Sequence, residues 1–228
     1  WSAADLLRIG EICLKHRVVV LADEIHCDWV SKGQKYTPFA SLPNKAVVDN
    51  SVTFKAASKS FGLAAHKIAW FHSTNPDYMK RVTAHHWVDL NTLGIVANQA
   101  ALREGEDWLN QCVAYIDGNH DFAEQFIKAN IPAIKWVKPE GTYLAWLDVT
   151  EVAERIGAKR QAEEAKKAEG TNVTPEMMVE RYFIKHAKVQ LNQGASYGLG
   201  GANHMRMNVA TSRKMLERAL INMAGALK

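Results

Sequence analysis

The chain has 228 residues, of which 47% are hydrophobic and 23% charged, and its formal net charge is +4. This length allows one large or two modest domains. The basic excess is slight and dispersed, so it is only a weak argument for nucleic acid, and no nucleic-acid partner is expected. No apolar run reaches the ~18 residues of a membrane-spanning helix, so no membrane partner is expected. Three widely spaced cysteines without a CxxC motif favour a reducing compartment, so we expect a cytoplasmic protein.

Helices and strands are predicted to alternate in the first part of the chain. A capping pattern at Ser2 and Asp5 predicts an amphipathic helix that ends at about His16. The apolar, mostly β-branched run at 18–22 predicts a strand buried on both faces, as in parallel sheets. Two short strands, at 51–55 and 68–72, are expected to extend the same sheet. The sequence therefore predicts an α/β fold.

The second part of the chain has a different pattern of predicted helices and strands. Helical periodicity runs from Asn75 to about residue 129, with a break near Gly105. Strands are predicted at 134–137 and 142–147 and near 189 and 205, and helices from 174 and 212. This change predicts two domains, a large one at 1–116 and a smaller α+β one at 117–228. Alternating charges at 151–170 predict a solvated helical insertion.

Asp23 and His26 directly follow the first predicted strand. Ligands of open α/β sheets bind at the carboxyl ends of the strands. A carboxylate beside a pyridine nitrogen keeps that nitrogen protonated, and each pKa unit of this stabilisation is worth ~1.4 kcal/mol. From the same loop, His26 is within range of a phenolic oxygen on such a ring. A turn-capping Asp23 and a core His26 remain the alternative at this point.

Lys59 lies in a loop of small residues, between Ala57 and Gly62. Small residues let a planar cofactor approach the backbone, and desolvation together with a neighbouring imine favours a deprotonated, nucleophilic lysine. Most lysines are solvated surface residues, which is the alternative for Lys59 taken alone. Together, Asp23 and Lys59 predict a site that holds pyridoxal 5'-phosphate at both ends of its ring.

Two other kinds of site compete for the same residues. An apolar strand ending in Asp-Glu-x-His is also typical of helicase-type ATPases, which need an earlier GxxxxGK[ST] loop. The chain contains no such loop, and that alternative leaves Lys59 unexplained. A metal site at His26, Cys27 and Asp28 lacks a spaced fourth ligand, so no metal is expected.

Four motifs in this order resemble those of the class I/II aminotransferase superfamily of fold-type I pyridoxal phosphate enzymes. They are Asp-Glu-Ile-His at 23–26, Ser-Lys-Ser-Phe at 58–61, Gly-Thr-Tyr-Leu-Ala-Trp-Leu-Asp at 141–148 and Met-Arg-Met-Asn at 205–208. His26, where true aminotransferases usually have tyrosine, and the segment 105–109 narrow the resemblance to the MalY/PatB-type cystathionine β-lyase branch. The implied fold is the PLP-dependent transferase fold, with a mainly parallel sheet in the large domain and an N-terminal truncation.

The resemblance also implies a set of cofactor-binding residues. Lys59 would bind the cofactor covalently, Asp23 would pair with the pyridine nitrogen, and His26 would lie at the phenolic oxygen. Ser58 would sit beside the phosphate. Lys67 stands where aminotransferase relatives carry a phosphate-binding arginine, and a solvated lysine is the alternative there.

On the substrate side, Arg206 matches the arginine that grips the substrate α-carboxylate, a bidentate task that suits a planar guanidinium. Tyr197 falls on a Gly-rich loop that lies near the substrate in relatives. Two further aromatic residues, Tyr143 and Trp146, are expected to belong to the core.

The activity implied by the resemblance is a carbon-sulfur β-lyase that converts cystathionine or cysteine S-conjugates to thiol, pyruvate and ammonia, with Lys59 as general base. An aminotransferase uses the same residues and is the leading alternative. A non-catalytic fragment or subunit is a third, because the family's N-terminal third, with half of the cofactor pocket, would lie before Trp1. The expected partners are a small amino-acid substrate and a second copy of the chain, with residues 91–94 near the homodimer interface.

Overall fold

The computed structural model describes residues 1–85 and 87–228. It contains two compact units, residues 1–113 and 114–228. The boundary between them falls inside one long helix, Glu106–Asn130. Each unit is built around its own small sheet.

The first unit alternates helices with the strands of a three-stranded sheet. In chain order its elements are helix α1 (Ala3–Lys15), strand β1 (Val20–Asp23), helix α2 (Lys45–Asp49), strands β2 (Ser51–Lys55) and β3 (Trp70–His72), helices α3 (Pro76–His85) and α4 (Thr92–Glu104), and the start of α5 (Glu106–Asn130). The order of these elements agrees with the prediction except for α2, which lies in a segment that was expected to be a loop. The hydroxyl of Ser2 accepts a hydrogen bond from the amide of Asp5, as the capping pattern indicated.

The sheet of the first unit has the order β1-β2-β3. Strand β1 pairs in parallel with β2, whereas β3 pairs with β2 in the antiparallel direction. The prediction of a first strand buried on both faces is wrong. The side chains of β1 alternate between the two faces of the sheet. Val20 and Ala22 pack towards the core, whereas Leu21 on the opposite face is 67% exposed.

The core of the first unit forms where α1 and α2 pack near β1. Four buried side chains make up this cluster, and Leu6 and Leu7 of α1 pack against it. The buried members are Phe39, Leu42, Val47 and Val48. Asn44 caps α2, since its side-chain oxygen accepts hydrogen bonds from the amides of the first helical turn.

The second unit surrounds a four-stranded antiparallel sheet with the order β4-β5-β7-β6. After the rest of α5, its elements are strands β4 (Lys135–Trp136) and β5 (Leu144–Asp148), helices α6 (Thr150–Arg155), α7 (Ala158–Glu169) and α8 (Pro175–Ala187), strands β6 (Asn192–Gln193) and β7 (His204–Asn208), and helix α9 (Arg213–Ala226). Thr174 and Ser212 cap α8 and α9. The strand predicted near residue 189 begins at Asn192 instead.

The charged stretch at 151–170 is helical, as predicted, but it is not solvated on every side. It forms α6 and α7, and the alanines of one face of α7 are buried, with Ala158 at 0% and Ala162 at 4% exposure. Helix α7 packs against α8 on this face. Within the part of the chain that the structure describes, no helix combines the length and apolarity that a membrane crossing requires.

Candidate functional site

The sheet of the first unit brings the predicted cofactor residues to one edge. Strands β1 and β2 are parallel, and Asp23 at the end of β1 pairs with Phe54 near the end of β2. The chain then runs from Lys55 through a turn to Lys59. Because parallel strands end at the same edge, Asp23 and Lys59 emerge on the same side of the sheet.

Two hydrogen bonds tie the loop after β1 to the lysine loop. The indole Nε1 of Trp29 donates to the backbone oxygen of Lys59 at 3.2 Å. The hydroxyl of Ser60 donates to the carboxylate of Asp28. Both donors are buried, Trp29 at 6% and Ser60 at 1% exposure. The loop that carries His26 is therefore held against the loop that carries Lys59.

An aromatic contact supports the lysine loop from the helix side. The ring of Phe61 stacks on that of Trp108, with centroids 5.9 Å apart. A Cβ atom at Gly105 would lie 2.5 Å from Phe61 Cε1, so only glycine allows this close approach. The segment 105–109 thus packs directly on the lysine loop.

Lys59 itself is half-buried, and its amino group makes no hydrogen bond or ion pair with any of the residues 1–85 and 87–228. The preceding Ala56 and Ala57 are buried, at 8% and 1% exposure. Ser58, between them and the lysine, is half-buried. This environment leaves the Lys59 amine available for a covalent bond with a carbonyl group.

The two consecutive acids at the end of β1, Asp23 and Glu24, have different roles. Glu24 is buried and its carboxylate accepts a hydrogen bond from the amide of Phe39 at 2.8 Å. Burial and the nearby Glu24 carboxylate raise the pKa of Tyr36 well above its usual value. Asp23 is exposed, and one of its oxygens accepts from the amide of Ile25 at 3.2 Å. Glu24 is thus a structural acid, and Asp23 is the one available to a ligand.

Lys67 lies shortly before β3, near the same edge of the sheet as Lys59. Strand β3 runs antiparallel to β2, so its first residue, Trp70, lies opposite Lys55. Lys67 precedes it in a left-handed conformation, with φ of 56°. Its side chain is exposed and forms no hydrogen bond or ion pair with the described residues.

These residues fit the predicted pyridoxal phosphate. A pyridine nitrogen needs an available carboxylate, which Asp23 supplies, and the aldehyde needs an uncommitted amine, which Lys59 supplies. The buried alanines beside Lys59 leave its loop without bulky side chains. Among the described residues, no group of three potential metal ligands is placed to hold a metal ion.

The predicted substrate residues lie together in the second unit. Arg206 is in β7, opposite Trp146 of β5 on one side and Asn192 of β6 on the other. Its guanidinium carbon lies 4.7 Å from the ring centroid of Tyr197, at cation–π distance. The amide of Asn192 donates to the Tyr197 hydroxyl at 3.3 Å.

Trp146 is at the centre of this group, and its assignment to the core is wrong. It is 37% exposed, whereas its neighbours Ala145 and Leu147 are fully buried. Its ring stacks on His204 at 5.6 Å and meets Tyr197 edge-on at 5.7 Å. This arrangement could have been predicted from the sequence. Residues at every second position of a strand lie on the same face, which places Trp146 on one face with His204 and Arg206 of the paired strand.

Tyr143 is half-buried, in partial agreement with a core role. Burial raises the pKa of its hydroxyl, and the positive charge of Arg206 opposes that shift. The Tyr143 hydroxyl is thus close enough to the Arg206 guanidinium to interact with its charge. The sequence did not reveal the roles of Trp29, Ser60 and His204, because each acts through a partner at least 30 positions away. It also did not reveal that of Asn192, although its partner Tyr197 is only five positions away.

The comparisons with known proteins agree with the motifs. The model of the family described as aminotransferase class I and II matches residues 1–222. Cystathionine beta-lyase PatB of Bacillus subtilis is 35% identical over 233 residues, covering 100% of this chain and 54% of PatB. Protein MalY of Escherichia coli is 24% identical over 233 residues, covering 100% of this chain and 54% of MalY.

Solved structures show the same relationship. A PLP-bound C-S lyase from Staphylococcus hominis matches with a TM-score of 0.81 and 30% identity, covering 100% of this chain and 54% of that one. Cystalysin from Treponema denticola, which contains pyridoxal 5'-phosphate, matches with a TM-score of 0.82 and 29% identity, covering 100% and 53%. The chain thus spans about half the length of the relatives it matches. The predicted family and fold class are confirmed.

Proposed function

Because the chain belongs to the aminotransferase class I and II family, we propose that it carries catalytic residues of a pyridoxal 5'-phosphate-dependent carbon-sulfur β-lyase. The substrate would be cystathionine or a cysteine S-conjugate, and the products a thiol, pyruvate and ammonia. The observation that carries the proposal is the shared sheet edge of Asp23 and Lys59, with His26 held beside them. The names of relatives such as PatB and the S. hominis C-S lyase support the choice of reaction.

In this proposal, Lys59, Asp23, His26, Ser58 and Lys67 hold the cofactor. When bound, pyridoxal phosphate supplies an electron sink for a substrate carbanion. The Asp23 carboxylate would keep a proton on the pyridine nitrogen, and His26 would hold the phenolic oxygen. Lys59 would take the substrate α-proton as a general base, while Ser58 and Lys67 would bind the phosphate.

On the substrate side, Arg206 binds the α-carboxylate and Tyr197 covers the guanidinium. The Arg206 side chain forms no salt bridge with an acidic side chain in the described ranges 1–85 and 87–228. Its donors therefore remain available for a bidentate carboxylate contact. Net cleavage breaks the carbon-sulfur bond, and one water molecule is consumed as the amino-acid portion becomes pyruvate and ammonia.

We further propose that the partners are a small amino-acid substrate and a second copy of the chain. Several large apolar side chains near residues 91–94 are exposed to solvent: Trp87 at 90%, Leu93 at 74% and Val96 at 58% exposure. Clustered exposed apolar side chains often mark a protein interface. A subunit interface over this segment would cover them. A cytoplasmic location remains an expectation from the three free cysteines.

The decisive experiment adds pyridoxal phosphate and then L-cystathionine to the purified chain, and compares it with Lys59→Ala and with the control Lys32→Ala. Lys32 is an exposed lysine outside the site. We expect the visible absorbance of the lysine-bound cofactor to vanish in Lys59→Ala only. Pyruvate formation should fall there by about 10²- to 10⁴-fold, the usual contribution of a general base.

Three results would lead elsewhere. Amino transfer that requires a 2-oxo acid and yields no pyruvate would identify an aminotransferase. A wild-type chain that never binds cofactor would identify a non-catalytic fragment or a subunit completed by another polypeptide. Equal absorbance in Lys59→Ala and wild type would remove Lys59 from the site.

A further inference from the structure

We propose that Trp146 is a positioning residue for the substrate-carboxylate site, because it holds the Tyr197 ring against the guanidinium of Arg206. This inference rests on the carboxylate-binding role proposed for Arg206. It adds a residue that was expected to be a core side chain. All the contacts involved lie within the second unit.

The loop that carries Tyr197 does not by itself hold the ring in place. Gly198 and Gly200 follow it with positive φ angles of 105° and 85°, and Leu199 between them is fully exposed. Tyr197 is itself 50% exposed. Its ring is therefore positioned by side chains from neighbouring strands, namely Trp146 at the ring edge and Asn192 at the hydroxyl.

Trp146 has the support that a positioning side chain needs. One face of its indole stacks on His204, at an interplanar angle of 16°. The His204 ring is held in turn, because its Nδ1 lies 2.7 Å from the backbone oxygen of Ala202. Strand pairing places Trp146 directly opposite Arg206 and Asp148 opposite His204. The order His204, Trp146, Tyr197, Arg206 is thus a continuous series of contacts on one sheet face.

The ring of Tyr197 is the contact that orients the Arg206 guanidinium. Their 4.7 Å separation places the cation over the ring face. In the described ranges, no acidic side chain forms a salt bridge with Arg206. Removing Trp146 should leave Tyr197 mobile and the guanidinium without a fixed orientation. The result is a weaker carboxylate site with unchanged chemistry at Lys59.

The test compares Trp146→Leu and Trp146→Phe with Arg206→Lys and a matched control, His186→Leu. His186 makes an aromatic pair with Tyr182 in the same unit, with centroids 4.6 Å apart, and is exposed. We expect Trp146→Leu to raise KM for L-cystathionine about 3- to 10-fold, the effect of one aromatic contact, with kcat within about twofold. Trp146→Phe should fall between it and wild type, and His186→Leu should change neither constant.

A second measurement is independent of activity and cofactor. The Nε–H signal of Arg206 in ¹H–¹⁵N NMR spectra, assigned by its loss in Arg206→Lys, lies in the ring-current field of Tyr197. We expect Trp146→Leu to shift this signal towards its position in Tyr197→Leu. An unchanged signal in both Trp146 variants overturns the inference.

The outcomes separate the inference from the proposed function. If Arg206→Lys leaves KM unchanged, the carboxylate role of Arg206 fails. If Arg206→Lys raises KM while the Trp146 variants behave like wild type, only the positioning role of Trp146 fails. Should Trp146→Leu not fold, Trp146→Phe and its NMR spectrum decide the matter.

Discussion

The two sheets present their candidate residues in different ways. In the first unit, Asp23 is the last residue of β1 and Lys59 lies beyond the end of β2, and hydrogen bonds between loops hold the surrounding segments together. In the second unit, Arg206 lies within a strand, with the Tyr197 ring against its guanidinium and Trp146 opposite it on the neighbouring strand. Residues at strand ends are free to approach a cofactor, whereas a residue on a strand face is oriented by its packing neighbours.

The exposure of apolar side chains also differs between the two sheets. On β1, at the edge of the first sheet, Leu21 is 67% exposed. On β5, inside the second sheet, Ala145 and Leu147 are fully buried. We therefore expect substitutions at the first edge to affect chemistry, and substitutions on the second sheet to affect binding and stability.

The largest effect is expected from Asp23→Asn. Loss of the carboxylate removes the group that keeps a pyridine nitrogen protonated. Pyruvate formation should therefore fall by about 10²- to 10⁴-fold, the range typical for loss of a general acid or base. Asp77→Asn, at the exposed start of α3, is the matched control and should retain full activity. Comparable rates in the two variants would contradict the assignment of Asp23 and the contrast between the sheets.

A stability effect of intermediate size is expected from Gly201→Ala. A Cβ atom there would lie 2.0 Å from the backbone oxygen of Gly194, and backbone atoms yield little. We expect the free energy of unfolding to fall by about 1–3 kcal/mol, the usual cost of overpacking. Urea unfolding measures it.

The control for this variant is Gly225→Ala, in α9. A Cβ atom at Gly225 has nothing within 4 Å, and alanine favours helices by about 0.5–1 kcal/mol over glycine. Stabilisation by Gly225→Ala together with no loss in Gly201→Ala would show that the Tyr197 loop is loosely packed. The residues around Arg206 would then depend on loop contacts for their position, as those around Lys59 do, and the contrast between the two sheets would disappear.

The smallest effect concerns His120, which is buried in α5. Burial lowers the pKa of its imidazole, although the hydrogen bond from Nε2 to the oxygen of Thr142, at 2.9 Å, opposes the shift. The unfolded chain, with a histidine pKa of about 6.5, therefore takes up the proton at higher pH than the folded chain. Stability from this group is present above about pH 6.5 and is lost as the pH falls below it.

Urea unfolding at about pH 7.5 and about pH 5.5 measures this contribution. We expect the free energy of unfolding of the wild type to fall more between these pH values than that of His120→Asn, by on the order of 1 kcal/mol or less. An equal fall in both proteins would mean that His120 is protonated in the folded state. The core of the second unit would then be less closed than the structure indicates.

Local signals in the sequence predicted much of this arrangement. The caps at Ser2, Thr174 and Ser212 lie where the helices begin, because a capping side chain bonds to amides only two or three residues away. The segment 51–55 was predicted as a strand and is one. The motifs around Asp23, Lys59 and Arg206 identified the family for the same reason, since each is a short, contiguous pattern.

Tertiary structure decided what depends on distant partners. Sequence alone predicted a first strand buried on both faces, but only the face with Val20 and Ala22 packs on the core, and Leu21 on the other face is exposed. Sequence alone also placed Trp146 in the core, but the pairing of β5 with β7 puts Trp146 opposite Arg206, with its ring against His204 and Tyr197. The bond from Trp29 to the backbone of Lys59 joins residues 30 positions apart. The sequence by itself determined the family and the candidate site residues, and the pairing of strands and loops decided what surrounds each of those residues, because such contacts form only once distant segments meet.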